Sequence, residues 1–191
     1  NGRPAFTDPE IMRTNLASVI LKMLHLKIGD IREFSFLEPP DGRLINDGYG
    51  LLYELQAVTK RFELTAIGRK LCRIPTDPKL GKMLLAAGDE GALKEVLVII
   101  SALSVQDPRD RPTDKQEAAD LKHRQWQDKE SDFSTLINLW RHFEKQRQDL
   151  SRNQFEKYCR QNFISPLRMR EWRELHNQLH TIARDLKIKE N

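Results

Sequence analysis

The sequence predicts a mainly α-helical protein that folds as two packed units. Three observations carry this prediction. Apolar residues recur at three- and four-residue steps along most of the 191 residues, cap residues and helix breakers stand at the segment ends, and only one short stretch alternates as a β-strand does. A chain of this length buries enough surface on folding to be stable without disulfides or metals.

The first helix is predicted to begin at Pro9 and to end before Gly29. Thr7 and Asp8 precede it as side-chain caps, and Glu10 follows Thr7 at the spacing of a capping box. Proline suits the first helical turn because its missing N–H is not needed there. One apolar face is expected to be buried, formed by Ile11, Leu16, Val19, Ile20, Met23 and Leu24.

A second helix is predicted from about Arg43 to Gln56, after a stop formed by residues 39–42. Gly48 and Gly50 lie inside its apolar pattern. We expect these two glycines to permit close helix packing rather than to form a loop.

Residues 58–64 are short and rich in β-branched and aromatic side chains, which favours a small hairpin. Thr65 then caps a third helix that ends near Arg73. Helix, turn, helix, hairpin and helix in this order are typical of a winged helix. We therefore predict a winged-helix domain at residues 1–74.

Residues 75–191 are predicted to form a helical bundle. Residues 104–114 are predicted to form a loop, because they contain two prolines and alternating charges. The helix at 93–103 is apolar on more than one side and is expected to be central to the core. The other helices of the bundle are predicted at 78–87, 114–127, 132–149, 153–162 and 166–186.

The charge of the chain is mildly positive, with 32 Lys+Arg against 28 Asp+Glu, but residues 141–191 concentrate 12 basic against 7 acidic side chains. This skew fits a polyanionic partner as well as a solvated helix surface. No apolar run reaches the length of a membrane span, and the first residues do not resemble a signal peptide, so we expect no membrane partner. Cys72 and Cys159 lack any C-x-x-C spacing, which favours a reducing, cytoplasmic location.

Motifs of catalysis and metal binding are missing. The glycines at 48 and 50 are not followed by the Lys-Ser/Thr pair of a phosphate loop. His176 and His180 share a helix face, but the glutamate of H-E-x-x-H and a third ligand are absent. Neither cysteine stands in the local signature of a nucleophile. We therefore expect neither a catalytic residue nor a metal site in this chain.

Nucleic-acid binding is the strongest remaining function. The second helix is unsuited to reading a DNA groove, because Arg43 is outnumbered by Asp47 and Glu54. The winged-helix domain is therefore expected to be a scaffold. Lys60 and Arg61, on its hairpin, are candidate wing contacts to a backbone.

The predicted bundle is better supplied with cations. Residues 104–125 contain a group of basic residues, with Gln106 and Trp126 nearby. Such a mixture of cations and stacking surfaces suits the binding of single-stranded nucleic acid. The basic residues are Arg109, Arg111, Lys115, Lys122, His123 and Arg124. A second basic group contains Arg141, Lys145, Arg147 and Arg152, and a third contains Arg168, Arg170 and Arg173. An alternative remains open: Trp126 belongs to the core, and the charged residues form a solvated helix surface.

Several strings, in order and spacing, resemble the C-terminal accessory region of the DEAH-box RNA helicases. They are DPEI at 8–11 with RTNL at 13–16, LTAIGR at 64–69, PTDPKL at 75–80, and SALSV at 101–105 with Arg111-Pro112. The string ALSVQDPR at 102–109 resembles the bacterial HrpA-type branch most closely. The chain departs from the family at 130–133, where ESDF replaces the Gly-Asp-His of many members.

In this family two RecA-like domains bind and hydrolyse ATP with magnesium, and a winged helix, a ratchet-like bundle and usually an OB-fold follow. The resemblance covers nearly the whole chain and implies a winged helix plus a ratchet-like domain, with no ATP site of its own. It implies single-stranded RNA and the RecA-like and OB-fold domains of the parent chain as partners. By position, the strand contacts would be Ser104, Gln106, Arg109, Arg111 and Lys115 and, more loosely, His123 and Arg124.

The function implied is that of an accessory region, which contacts single-stranded RNA and couples RecA-domain motion to unwinding. The alternative is a protein-interaction module that docks a partner or neighbouring domains without touching RNA. A winged-helix transcription factor is disfavoured by the acidic second helix.

Overall fold

Helices make up most of the computed structural model, which describes residues 9–190. The predicted cap residues Thr7 and Asp8 lie outside the described residues. Within the described part the α-helices are α1 Pro9–Leu26, α2 Gly42–Glu54, α3 Ala66–Cys72, α4 Pro78–Ala87, α5 Leu93–Leu103, α6 Gln116–His123, α7 Asp132–Asp149, α8 Arg152–Gln161 and α9 Pro166–Asp185. The mainly α-helical class is therefore confirmed.

The chain divides into two compact units, one that ends at Ala86 and one that begins at Ala87. This division lies at the end of α4. The domains expected from the sequence, 1–74 and 75–191, have their boundary before α4 and stay a prediction, because a compact unit and a functional domain need not end at the same residue.

The first unit is built on the packing of α1 against α2. Gly48 makes their close approach possible, because a Cβ at this position would lie 2.9 Å from Ile20 Cδ1 and 3.4 Å from the Ala17 backbone nitrogen. The expected role of Gly48 in close packing is confirmed. A Cβ at Gly50 would have nothing within 4 Å, so the same expectation is wrong for Gly50.

The buried face of α1 agrees with the predicted one at Ile20 and Met23 and differs from it elsewhere. Ala17 and Leu21 are also buried, whereas Ile11 is 52% and Val19 41% exposed. Ala17 and Ile20 are the residues that a Cβ on Gly48 of α2 would meet, so the close contact with α2 decides which side of α1 is buried.

The predicted hairpin is reduced to a turn. Val58 and Leu64 form a single antiparallel bridge, and the Thr59 N–H donates to the Glu63 carbonyl at 2.9 Å. No strand forms among the described residues. The order of helix, turn, helix, bridge and helix agrees with the sequence, but the winged-helix assignment itself stays a prediction.

The second unit has its core where α5, α7, α8 and α9 meet. Trp172 of α9 is fully buried there, and its indole Nε1–H lies within hydrogen-bond distance of both the Ser101 Oγ (3.0 Å) and the Val98 carbonyl (3.2 Å). The core has aromatic, aliphatic and sulfur-containing members: Val98, Ala102, Trp126, Leu136, Leu139, Phe143, Phe155, Cys159, Ile164, Met169 and Trp172.

Local caps define the last three helices. The side chains of Ser131, Ser151 and Ser165 each accept a hydrogen bond from a backbone N–H in the first turn of α7, α8 and α9. The helix predicted at 114–127 is shorter than expected. It ends at His123 and continues as a single 3-10 turn, Arg124–Trp126, which brings the Trp126 ring into the core.

Candidate nucleic-acid interface

The loop between α5 and α6 is held in place by the connection between α8 and α9. Arg109 and Ile164 form an antiparallel bridge, flanked by hydrogen bonds from the Asp110 N–H to the Phe163 carbonyl (2.7 Å) and from the Ser165 N–H to the Pro108 carbonyl (2.8 Å). These backbone hydrogen bonds hold the loop against residues 163–165 and satisfy the backbone groups of both segments. The position of Arg109 is thus set by a segment more than fifty residues further along the chain.

Arg168 adds a second tie between these segments. Its Nη1 donates to the Asp107 carbonyl at 3.0 Å and to the Asp110 Oδ1 at 3.3 Å. One guanidinium of α9 therefore holds two residues of the loop, and Arg168 has a positioning role.

Asp107 and Arg109 form a two-pronged ion pair inside this loop. The Arg109 Nε and Nη2 donate to the two Asp107 carboxylate oxygens at 3.0 and 2.7 Å, and the Arg109 backbone N–H donates to Asp107 Oδ1 at 2.9 Å. Burial by itself raises the pKa of Asp107, but the hydrogen bonds from Arg109 outweigh it and lower the pKa. The hydrogen bond to Asp107 raises the pKa of Arg109, so both groups stay charged at neutral pH.

Arg111 forms a similar pair with Asp120 of α6. Its Nε and Nη2 donate to the two carboxylate oxygens at 2.8 and 2.9 Å. The hydrogen bonds from Arg111 lower the pKa of Asp120. Both side chains are well exposed, so this pair orients Arg111 more than it stabilises the fold.

The end of α6 meets the same α8–α9 connection. His123 Nε2 lies 2.9 Å from the Phe163 carbonyl oxygen, which also accepts from the Asp110 N–H. The neighbouring Arg124 is exposed in the 3-10 turn. This arrangement brings α6 and the loop to one carbonyl group.

These groups line one open concavity of about 510 Å³. Of the seven strand contacts expected from the sequence, four are among its lining residues: Arg109, Arg111, His123 and Arg124. Asp107, Asp120 and Gln127 complete the lining. Three arginines face two aspartates, so the surface is positive, with part of its charge already paired. We call it the basic concavity.

The other three expected contacts do not line it. The Ser104 hydroxyl donates to the Ile100 carbonyl at 2.7 Å, at the end of α5. Gln106 and Lys115 are exposed elsewhere on the loop, and the Lys115 carbonyl accepts the Ala119 N–H of α6. Lys60 and Arg61 are exposed in the Thr59–Phe62 turn of the first unit.

Trp126 belongs to the core, in agreement with the open alternative. It is only 5% exposed, and its ring centroid lies 5.0 Å from that of Phe143. A base could not stack on this ring, and no phenylalanine, tyrosine or tryptophan is among the residues that line the basic concavity. The concavity therefore offers charge and hydrogen-bond donors rather than a stacking platform.

Sequence reasoning missed the two aspartates and the α8–α9 connection. Asp107 could have been found, since an aspartate two residues before an arginine after a helix end often makes an Asx turn. The role of residues 163–165 has no local signal, because it comes from a long-range backbone pairing.

The histidines and cysteines considered as metal ligands or nucleophiles pack against or pair with other side chains, or are buried. The His176 ring lies on Trp140 with centroids 4.4 Å apart, and His180 pairs with Glu190. In the part of the chain that is described, no three histidine, cysteine or acidic side chains converge as metal ligands would. Burial raises the pKa of the Cys159 thiol to about 12 and also raises that of Cys72, which opposes thiolate formation.

None of the helices between residues 9 and 190 combines the length and the apolar character needed to cross a bilayer.

Comparison with known proteins identifies the segment that contains the basic concavity. Residues 77–136 match the model of the helicase associated domain (HA2), ratchet-like. This matched segment includes α5, α6 and the loop between them.

Three curated relatives extend the likeness to nearly the whole chain. The chain is 50% identical to the ATP-dependent RNA helicase HrpA of Escherichia coli (strain K12), over 99% of this chain and 15% of the relative. It is 48% identical to the HrpA homolog of Haemophilus influenzae, over 98% of this chain and 15% of the relative. It is 33% identical to the pre-mRNA-splicing factor ATP-dependent RNA helicase prp22 of Schizosaccharomyces pombe, over 90% of this chain and 14% of the relative.

The chain thus spans about 15% of the length of the HrpA proteins that it matches. The match of the helicase-associated domain and the identity to HrpA over nearly the whole chain confirm the resemblance found in the sequence. The chain belongs to the DEAH-box family of ATP-dependent RNA helicases that includes HrpA, as a segment that contains the helicase-associated, ratchet-like domain.

Proposed function

We propose that this chain is the C-terminal accessory region of an ATP-dependent RNA helicase, which contacts single-stranded RNA and couples the motion of RecA-like domains to unwinding. The observation that carries the proposal is the basic concavity. Arg109 and Arg111 line it from a loop tied by its backbone to residues 163–165, and His123 and Arg124 line it from the end of α6 and the 3-10 turn that follows. A loop fixed in this way can transmit force to a strand, whereas a mobile loop would yield to it.

The chemistry of the concavity suits a phosphate backbone. Arginine donates from several N–H groups of one plane, which suits phosphate oxygens. Asp107 and Asp120 accept from Nε and Nη2 of Arg109 and Arg111, so the ion pairs fix these guanidiniums, and a phosphate would be bound through their other N–H groups and through Arg124. Because no phenylalanine, tyrosine or tryptophan lines the concavity and its cations suit phosphates, the contact would read charge and spacing, not base identity. Such a contact suits an enzyme that moves along RNA of any sequence.

Fluorescence anisotropy with a labelled single-stranded RNA oligonucleotide tests the proposal. The variant combines Arg109→Gln, Arg111→Gln and Arg124→Gln in the 191-residue chain. For a single strand, the removal of each cation that binds a phosphate should lower the slope of log affinity against log salt by about 0.7. We expect weaker binding at low salt together with a clearly shallower salt dependence.

A matched control removes three cations that do not line the basic concavity. Lys145→Gln, Lys157→Gln and Arg184→Gln change exposed positions of α7, α8 and α9 and alter the net charge by the same amount. This control should keep most of the affinity and of the salt slope. Equal losses of affinity in the two variants would mean that RNA senses only the overall charge, and the proposal would be wrong.

The remaining parts of the proposal concern the longer protein. ATP and magnesium would bind its RecA-like domains, because Gly48 and Gly50 of this chain lie inside α2 and form no phosphate loop. The RecA-like and OB-fold domains would be the neighbours of this region in the same parent chain. A cytoplasmic location belongs to the same proposal.

One observation favours the alternative, a module that docks a partner or neighbouring domains. Ile11, Val19 and Leu26 of α1 are 52%, 41% and 64% exposed, at spacings that place them on one side of the helix. A single helix that exposes these three large apolar residues, and also Met12 next to Ile11, suits a protein contact. If docking were the only role, RNA binding would be weak and nearly independent of salt.

A further inference from the structure

A second concavity in the second unit, of about 570 Å³, is lined mainly by arginines. They come from the end of α7, from α8 and from the first turns of α9: Arg147, Arg152, Arg160, Arg170 and Arg173. Arg147 and Arg152 belong to the second basic group of the sequence and Arg170 and Arg173 to the third, and the fold brings them together with Arg160. We call this site the arginine pocket.

The acidic side chains around the pocket are too few for its cations. Glu144 lies between Arg147 (3.1 Å) and Arg173 (3.3 Å), and Glu156 lies between Arg152 (3.3 Å) and Arg160 (3.6 Å). Arg170 is 3.9 Å from Glu174. Five guanidinium groups therefore share three carboxylates.

One guanidinium shows this shortage directly. The Arg173 Nε is buried and lies 3.3 Å from Glu144 Oε1, in a geometry that makes an ion pair but not a hydrogen bond. Glu144 therefore divides its charge between Arg147 and Arg173 without satisfying the donor of Arg173.

The cations of the pocket are suited to carboxylates. Every one of them is an arginine, whose fork of donors matches the oxygens of a carboxylate as well as those of a phosphate. Glu144 of α7 lies between Arg147 of its own helix and Arg173 of α9, so a carboxylate fits between guanidiniums of two helices.

An apolar surface accompanies these charges. Leu150, Phe155 and Leu167 line the same pocket, and Leu167 is 53% exposed at its rim. Phe155, the one aromatic residue of the lining, is only 7% exposed and offers no ring for a base to stack on. The surface therefore suits a ligand with both carboxylates and an apolar side chain.

We propose that the arginine pocket is a docking site for a short acidic segment of a protein, in which glutamates or aspartates flank an apolar side chain. The carboxylates would bind between the forks of α8 and α9, and the apolar side chain would pack on Leu167 and Leu150. This interaction is separate from the RNA contact, since the two concavities have no lining residue in common.

The test uses a fluorescein-labelled peptide of alternating glutamate and leucine, with anisotropy measured on the 191-residue chain. Arg152, Arg160 and Arg170 are 81%, 66% and 54% exposed, so their change to glutamine leaves the fold intact. We expect Arg152→Gln, Arg160→Gln and Arg170→Gln together to weaken peptide binding by about tenfold or more. Leu167→Ser alone should weaken it several-fold.

Three controls accompany this test. Lys145→Gln, Lys157→Gln and Arg184→Gln together remove the same charge outside the pocket and should leave peptide affinity nearly unchanged. A peptide with glycine in place of leucine should bind the unchanged chain more weakly than the original. Circular dichroism on each variant verifies the helix content.

Three results would overturn the proposal. The first is an equal loss of peptide affinity in the pocket and control variants, which indicates only a diffuse charge effect. The second is a peptide affinity that changes neither with Leu167→Ser nor when glycine replaces the leucines of the peptide. The third is a pocket variant that loses more affinity for single-stranded RNA than for the peptide. This result would make the site a second RNA contact.

Discussion

The Ala57 carbonyl oxygen occupies the space that a side chain on residue 68 would need. A Cβ built on Gly68 would lie 2.1 Å from this oxygen and 2.7 Å from Leu64 Cδ1. The same carbonyl accepts the Thr65 N–H at 3.0 Å, so it cannot move without disturbing the cap region of α3. The glycine of the LTAIGR string at 64–69 thus has a packing reason.

Gly68→Ala should therefore destabilise the first unit by about 2 kcal/mol or more, because the new methyl group overpacks a backbone atom. Gly50→Ala is the matched control. It also lies in a helix, where its Cβ would meet nothing within 4 Å, and should be neutral or stabilise by about 0.5–1 kcal/mol. Thermal unfolding followed by circular dichroism compares the two. Equal melting points would show that the tight contact at residue 68 relaxes freely.

Trp172 and Ser101 are coupled in the core of the second unit. Trp172→Phe removes the indole N–H and part of the ring volume, and we expect a loss of about 2–3 kcal/mol. Ser101→Ala should cost only about 1 kcal/mol, because the Val98 carbonyl still accepts from Trp172.

A double-mutant cycle on these two positions isolates their hydrogen bond. Chemical unfolding of the two single variants and of the double variant should give a coupling free energy of about 0.5–1.5 kcal/mol. Strictly additive losses would mean that the 3.0 Å contact between Trp172 Nε1 and Ser101 Oγ contributes nothing by itself.

Cys159 makes the stability of the second unit sensitive to alkaline pH. Its pKa rises from 9.0 to about 12 on folding, chiefly through burial. The folded chain keeps the thiol proton at pH values at which the unfolded chain has lost it. This contribution to the free energy of unfolding is therefore complete below about pH 9 and is lost as pH rises toward about 12.

Comparison with Cys159→Ala separates this effect from other titrating groups. The difference in unfolding free energy between the natural chain and the variant should decrease with pH above about 9. Thiol labelling at neutral pH gives an independent measure: Cys72, which is half-buried, should react slowly, and the fully buried Cys159 should react only after unfolding. Rapid labelling of Cys159 in the folded chain would contradict its burial.

Asp107→Asn tests whether the Arg109 guanidinium binds RNA or only stabilises the folded loop. An asparagine keeps an oxygen for the Arg109 backbone N–H but releases the guanidinium from its ion pair. If Arg109 binds phosphate, RNA affinity at low salt should rise a few-fold, because one negative charge leaves the basic concavity. Loss of both stability and RNA affinity would assign the ion pair a purely structural role.

The same variant has a predictable dependence on pH. The lowered pKa of Asp107 stabilises the folded chain at pH values above the ordinary carboxyl range, and this contribution is lost as pH falls through the lowered value. The natural chain and Asp107→Asn should therefore converge in stability under acid conditions. Thermal unfolding across a series of acidic buffers measures this convergence.

Local features of the sequence were sufficient for most element boundaries. The helix predicted at 132–149 forms as α7, Asp132–Asp149, because Ser131 caps its first turn and the apolar period continues to its end. The buried face of α1 could not be derived in the same way. The buried side of α1 is set by the contact between Ala17 and Gly48 of α2. The apolar periodicity of α1 carries no information about this contact, because Gly48 belongs to another helix.

The candidate binding surfaces show the same division. The basic residues of both surfaces can be found in the sequence, and so can the strings that resemble the helicase family, to which the relatives belong. Tertiary structure alone decided that Trp126 is buried, that Arg109 and His123 meet at residues 163–165, and that five arginines from three helices form one pocket. The physical reason is range: caps, turns and helical periods act over a few neighbouring residues, whereas a concave charged surface requires packing between segments far apart in the chain.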